Sequence, residues 1–303
     1  MTTLILHHDD CLRHVERPER VNAVLGAVDT LPGTELLPAP RATPAQLEAA
    51  HAAEYWRRIV ELEPEAGGEA GAIALDADTF LSRGSVDATL RGSGAACFAI
   101  DQIAAGKARN AFCAVRPPGH HAEQATAMGF CLLNHVAVAA HHAIASGAAE
   151  RVAIIDFDVH HGNGTQSIFE STPDVLFVSS HQMPLYPGTG HPGEPGCGNV
   201  LTLPLSPGDG SEVLRTAWRE YGLPRVAGFR PDLLLVSAGF DAHERDPLGQ
   251  LRLQDDDYYW ITTEIRALAE RLCDGRIVSL LEGGYDLDAL ATASAAHVGA
   301  LTA

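Results

Sequence analysis

The 303-residue chain is expected to form a single-domain α/β fold over residues 1–303, three layers deep (α/β/α), with a central, mostly parallel sheet. Three observations lead there. Short apolar runs that read as buried strands alternate with helical patterns, the arrangement that gives a parallel sheet covered on both faces. Four of those runs pass directly into polar clusters, as expected of ligand-binding carboxyl ends of parallel strands. No internal repeat or long linker divides the sequence.

Taken in order, the apolar stretch at residues 4–6 is too short, and lacks the basic flank, to read as a signal peptide. Val21, Val24, Leu25 and Val28 share one face of a helix. Residues 62–84, rich in Glu, Gly and Ala, read as a loop. A strand is expected at 110–115, leading into Arg-Pro-Pro-Gly-His-His at 116–121. The Ala-rich run 136–145 is helical, and a second strand at 152–157 leads into Asp-Phe-Asp-Val-His-His at 156–161. Strands follow at 175–179, 233–237 and 277–281, with a Gly/Pro-rich loop at 183–210. The last two run into Gly-Phe-Asp-Ala-His-Glu-Arg-Asp-Pro at 239–247 and Glu-Gly-Gly-Tyr-Asp at 282–286.

The stretch 151–166 carries the most chemistry. On an extended strand Asp156, Asp158 and His160 fall at i, i+2 and i+4 and point to one side. Two buried carboxylates without a counter-charge cost several kcal/mol, so the arrangement asks for a cation. Carboxylate oxygen and imidazole nitrogen suit zinc or a similar divalent ion.

A formal net charge of −18 disfavours a nucleic-acid partner and favours a basic or amine-bearing one. With no apolar run of transmembrane length, a membrane role is not expected. The six cysteines are scattered with no Cys-x-x-Cys pair, which fits a reducing compartment and a cytoplasmic protein. Cys131 reads as an inert thiol, and His7-His8 and His141-His142 as surface pairs. No Gly-x-Ser-x-Gly supports a serine nucleophile.

With these four clusters, and Arg-Pro-Glu-Arg at 17–20, the chain resembles the zinc-dependent histone deacetylase family, which has the arginase–deacetylase fold. Asn163 and Leu-Glu-Gly-Gly-Tyr at 281–285 resemble class II and its bacterial relatives, histone deacetylase-like amidohydrolases and acetylpolyamine amidohydrolases among them. The resemblance implies one zinc ion per chain, held by Asp158, His160 and Asp246. It implies His121 as general base and acid, with His120 as an electrostatic helper oriented by Asp156. Asn163 would orient His121 without adding charge, leaving it less basic than an Asp would. Tyr285 would polarise the acyl carbonyl, with Gly283 and Gly284 letting the backbone bend towards the metal.

The resemblance also implies a substrate tunnel at Gly129, Phe130, Tyr186 and Leu248, where Tyr186 departs from the usual Phe and an apolar Leu248 favours an acyl-lysine substrate. Asp76, with Asp78 as its rival, falls near the rim aspartate that binds substrate amides, and Arg20 near the internal product channel. A structural potassium is implied near Asp156, Asp158, His160, Ser179 and Ser180, and a second monovalent site near Phe169, Thr172 and Val175. The implied activity is removal of acetyl or other acyl groups from N-acylated lysine, on a peptide or protein, by water activated at the metal. The alternatives are an acetylpolyamine or other small N-acyl-amine deacetylase, an arginase-like binuclear manganese enzyme, and a binding protein for acylated ligands. The native metal, acyl-chain preference and oligomeric state are left open.

Overall fold

The computed structural model describes residues 2–66 and 71–303. Its strands are β1 (Thr3–His7), β2 (Thr34–Pro38), β3 (Ala72–Ala74), β4 (Phe80–Ser82), β5 (Asn110–Cys113), β6 (Val152–Asp156), β7 (Val175–Gln182), β8 (Val200–Leu205), β9 (Leu233–Ala238) and β10 (Ile277–Leu281). Its helices are α1 (Glu19–Val28), α2 (Pro44–Glu48), α3 (Ala53–Ala66), α4 (Ser85–Ala104), α5 (His135–Ala145), α6 (Asn163–Phe169), α7 (Ser211–Ala217), α8 (Leu223–Phe229), α9 (Asp255–Leu272) and α10 (Leu287–Thr302).

Eight strands form one sheet in the order β2-β1-β5-β10-β9-β6-β7-β8, and every neighbouring pair is parallel. Alternate side chains feed two cores. Leu4, Leu6, Ile154, Leu235 and Val278 pack with α4 and α5 on one face, while Ile5, Ile155, Val236 and Ile277 pack with α1, α9 and α10 on the other. Burial on both faces explains why these strands read as continuous apolar runs.

The five expected strands are present, with ends shifted by up to three residues. Three more strands of this sheet were not anticipated. β1 is short, β2 is a half-exposed edge strand, and β8 lies inside the expected 183–210 loop. Within the expected 62–84 loop, α3 continues to Ala66 and β3 pairs with β4 as a small hairpin, while residues 67–70 lie outside the described residues. His7 is also not a surface residue: it closes β1, buried, with its ring nitrogen 3.0 Å from the Ala114 carbonyl. β5, β10, β9 and β6 are consecutive in the sheet, so their four polar carboxyl ends meet at one edge of the molecule.

Four histidines stand in the core as neutral hydrogen-bonding groups. His14 meets the Ser85 hydroxyl at 2.7 Å, and His51 accepts from the Asn134 amide at 2.9 Å. His135 bridges Ser93 and the Pro117 carbonyl, and His297 bridges Thr262 and Ser279. Burial lowers His14, His51 and His135 to about 4 and His297 to about 3. Below pH 6.5, the ordinary histidine value, the unfolded chain therefore binds protons that the folded chain refuses. Stability falls as pH drops from there towards about 4, each histidine contributing a slope of up to about 1.4 kcal/mol per pH unit. Thermal unfolding followed from about pH 7 to about pH 5 should show Tm falling, and falling less steeply in His297→Gln. Equal slopes in the two proteins would contradict this account.

Candidate metal centre and tunnel

The loop after β6 supplies Asp158 and His160, and the loop after β9 supplies Asp241. One ligand atom from each lies within 4.8 Å of the others, and no other residue joins this group among the described residues. His160 Nδ1 is 3.1 Å from Asp158 Oδ1 and 3.2 Å from Asp241 Oδ2. Backbone amides hold the carboxylates in place: Gly283 N–H donates to Asp158 Oδ2 at 2.8 Å, and Val159 N–H to Asp241 Oδ1 at 2.9 Å. A Cβ at Gly283 would stand 2.0 Å from Asp241 Oδ2, so a side chain there would displace the carboxylate. Burial and the neighbouring Asp158 charge push Asp241 up to about 7. Burial opposes charge on His160, but its contacts with Asp158 and Asp241 outweigh this and raise it to about 10. Two buried carboxylates and an imidazole converging in this way fit a divalent cation. Tetrahedral donors about 2.1 Å from zinc lie about 3.4 Å apart, close to the spacings seen here.

The third member of this group is therefore Asp241, not the expected Asp246. Both oxygens of Asp246 are engaged elsewhere, accepting from Leu248 N–H at 3.0 Å and from Tyr285 and Asp286 N–H at 2.6 and 3.3 Å. Asp246 thus fixes the tunnel residue Leu248 and the start of the Tyr285 segment. Asp156 also departs from the expected alignment. β6 ends at Asp156, the chain bends, and Asp156 Oδ2 faces His120 Nδ1 at 3.0 Å instead of joining Asp158 and His160.

The tandem histidines follow β5 and stand beside this centre. Burial opposes charge on His120, yet Asp158 and Asp156 raise it to about 10. Burial, then His120 and His160, hold His121 well below its ordinary value, so it stays neutral. His121 Nδ1–H donates to Asn163 Oδ1 at 2.8 Å, because the Asn163 amide nitrogen is turned towards Glu123 and Met128. That fixes the tautomer and leaves the Nε2 lone pair free. Tyr285 lies across the floor, its phenol kept protonated by burial. Asp286 begins α10 as its N-cap, accepting from Ala289 N–H at 2.8 Å, which sets where Tyr285 stands.

A tunnel of about 270 Å³ runs from the surface to this floor. Gly129, Phe130, Tyr186 and Leu248 line it, together with Pro118 and Leu185. Gly129 has φ +56°, and a Cβ there would meet His121 Cδ2 at 2.3 Å, so only glycine allows the backbone this close. The Tyr186 ring stands edge-on to His121 with centroids 5.2 Å apart. At the mouth the aspartate is Asp78, not Asp76. Asp78 Oδ1 accepts from Gly129 N–H at 3.2 Å, whereas Asp76 caps its own turn at Ala77.

The sequence pattern of the histone deacetylase domain matches residues 14–301. The chain belongs to the histone deacetylase family. It is 39% identical to the histone deacetylase-like amidohydrolase of Pseudomonas aeruginosa, covering 90% of this chain and 72% of that protein. It is 34% identical to type-2 histone deacetylase 2 of Dictyostelium discoideum, covering 94% of this chain but only 20% of that longer protein. The crystal structure of the HDA15 HD domain superposes with a TM-score of 0.92 at 33% identity, covering 100% of this chain and 90% of that one. The fold is thus the arginase–deacetylase fold of the histone deacetylase family.

Other family positions fall behind the tunnel. Arg20 does not line it. Its buried guanidinium donates to the carbonyls of Gly284, at 2.6 Å, and Glu282, pairs with Glu16, and lies 4.6 Å from the Tyr285 ring centroid. It supports Tyr285 from behind. Glu16, Arg116 and Glu282 also escaped the sequence reading. Glu16 accepts from Arg116 Nε at 2.8 Å, and Glu282 Oε2 accepts from Gly119 and His120 N–H at 2.6 and 3.1 Å. Near the first potassium position, the Asp158 and His160 carbonyls accept no hydrogen bond among the described residues, and Ser180 Oγ accepts from Trp218 Nε1 at 3.0 Å. At the second position, the carbonyls of Phe169, Thr172 and Val175 converge on the side-chain amide of Asn199.

Proposed function

We propose that residues 1–303 form one catalytic domain, a zinc-dependent deacylase that removes acetyl groups from N-acylated lysine side chains. The observation that carries this is the tunnel floor, where Asp158, His160, Asp241, His121 and Tyr285 line one small space and His121 keeps its Nε2 free of a hydrogen bond. Zinc bound there supplies Lewis-acid polarisation of the acyl carbonyl and lowers the pKa of water towards neutrality.

The chain's own residues do the rest. Phe130 and Tyr186 flank the slot that an aliphatic lysine stem would occupy and keep bulk water out. Asp78 at the mouth can accept hydrogen bonds from substrate backbone amides. The Tyr285 phenol donates to the carbonyl oxygen as negative charge develops. His121 Nε2 takes the proton from the attacking water and returns it to the leaving amine nitrogen, so a C–O bond forms, the C–N bond breaks, and acetate and a free amine leave. His120, oriented by Asp156, faces the same floor and assists electrostatically as negative charge develops. A structural potassium near Asp156, Asp158, His160, Ser179 and Ser180, and a place in the reducing cytoplasm, complete the proposal. The six free cysteines agree with the latter, and none of the described helices is long and apolar enough to cross a membrane.

Leu248 puts an apolar side chain, not a carboxylate, at the gate, which leaves a second ammonium without a partner there. Turnover of acetyl-lysine peptides and of acetylspermidine, measured in parallel on the zinc-loaded protein, should favour the peptide. Hydrolysis of the polyamine alone would overturn the assignment of lysine as substrate, and a peptide bound without hydrolysis would point to a binding protein.

A further inference from the structure

The cradle of carbonyls behind α6 is already filled by the chain itself. Asn199, immediately before β8, is buried, and its Nδ2 lies 2.7 Å from Phe169 O, 3.0 Å from Thr172 O and 2.8 Å from Val175 O. Three acceptors can face only the NH2 end of the amide, so its orientation is unambiguous. The opposite end is also held, Asn199 Oδ1 accepting from Cys197 Sγ at 3.3 Å. The surrounding turn leaves little spare capacity. Phe169 O also accepts from Thr172 N–H at 2.8 Å, and Thr172 O from Val175 N–H at 3.1 Å, so two of the three carbonyls hold a backbone donor besides the Asn199 amide. Cys197 N–H donates to Glu170 O at 2.7 Å, pressing the 195–199 loop onto the end of α6.

We propose that the Asn199 carboxamide takes the place of a monovalent cation in this cradle, so that the chain does not bind potassium between Phe169, Thr172 and Val175. The amide presents its partial positive charge to three converging carbonyl dipoles and brings no full charge to be desolvated. It ties α6, which carries Asn163, to β7 and β8 by hydrogen bonds that do not depend on salt composition. The first potassium position differs in that the Asp158 and His160 carbonyls accept no hydrogen bond among the described residues. This inference stands apart from the deacylase reading because it concerns a bound ion and stability, not turnover.

Rubidium, whose anomalous scattering marks potassium sites, provides the test. Crystals of the wild-type protein soaked in rubidium chloride should show no rubidium between the three carbonyls, whereas crystals of Asn199→Ala should show it there. In choline chloride, Asn199→Ala should unfold on the order of 3–6 °C below wild type, since buried carbonyls lose their donor. Potassium chloride at equal ionic strength should narrow that gap. A rubidium peak in the wild-type cradle, with the amide turned away, would overturn the proposal and needs no variant to be seen. So would an Asn199→Ala protein as stable as wild type in choline chloride.

Discussion

Asp241→Asn is expected to lose tight zinc binding and to slow acetyl-lysine hydrolysis by about 10³-fold or more, the several kcal/mol that a metal contributes to charge stabilisation. The variant should still fold, because its Oδ1 can go on accepting from Val159 N–H. It also removes one of two like charges whose mutual repulsion and burial push Asp241 up in the metal-free protein. Asp246→Asn makes the informative contrast. Among the described residues its carboxylate accepts hydrogen bonds only from the backbone amides of Leu248, Tyr285 and Asp286, so the variant should keep one zinc per chain. Its loss should be modest, about 10-fold, through a less well placed Tyr285. Metal content measured by elemental analysis on both purified variants separates the two roles. If Asp246→Asn lost the metal and Asp241→Asn kept it, the centre described here would be wrong.

His121→Ala should reduce kcat by about 10²–10⁴-fold with metal content unchanged, as expected for removal of a positioned general base. A subtler effect comes from its partner. Asn163 Oδ1 accepts from His121 Nδ1–H without contributing charge, while burial, His120 and His160 hold the ring well below its ordinary pKa. Asn163→Asp would place a carboxylate at that hydrogen bond and raise the His121 pKa. Since His121 acts as a base only when neutral, the acid limb of the pH–rate profile should move to higher pH in this variant, with turnover lost first at low pH. An acid limb that stayed in place or moved lower would argue against His121 as the base.

Much of the site was legible because parallel strands deliver their carboxyl ends to one edge. The runs at 152–157, 233–237 and 277–281 identified the strands, and the polar residues after them identified the floor. The error over Asp246 shows where such reading ends. Asp241 and Asp246 share one loop, and composition does not distinguish them. Proximity to the end of β9 would have favoured Asp241, but only the fold shows that backbone amides saturate Asp246. Asp76 and Asp78 posed the same problem in a loop without periodicity, resolved by which carboxylate reaches Gly129 N–H. β2 and β8, at the two edges of the sheet, lack the unbroken apolar pattern of central strands. The partners of Arg20 and Asn199 were not legible for another reason: both are held by carbonyls far away in the chain.

The central claim is that one metal at Asp158, His160 and Asp241 makes this chain a deacylase. Titrating metal-free protein with zinc while following acetate release from an acetyl-lysine peptide tests it most directly. Activity should rise in proportion to added zinc and level off at one equivalent per chain. A requirement for two equivalents, or a protein carrying one bound zinc that releases no acetate, would contradict it.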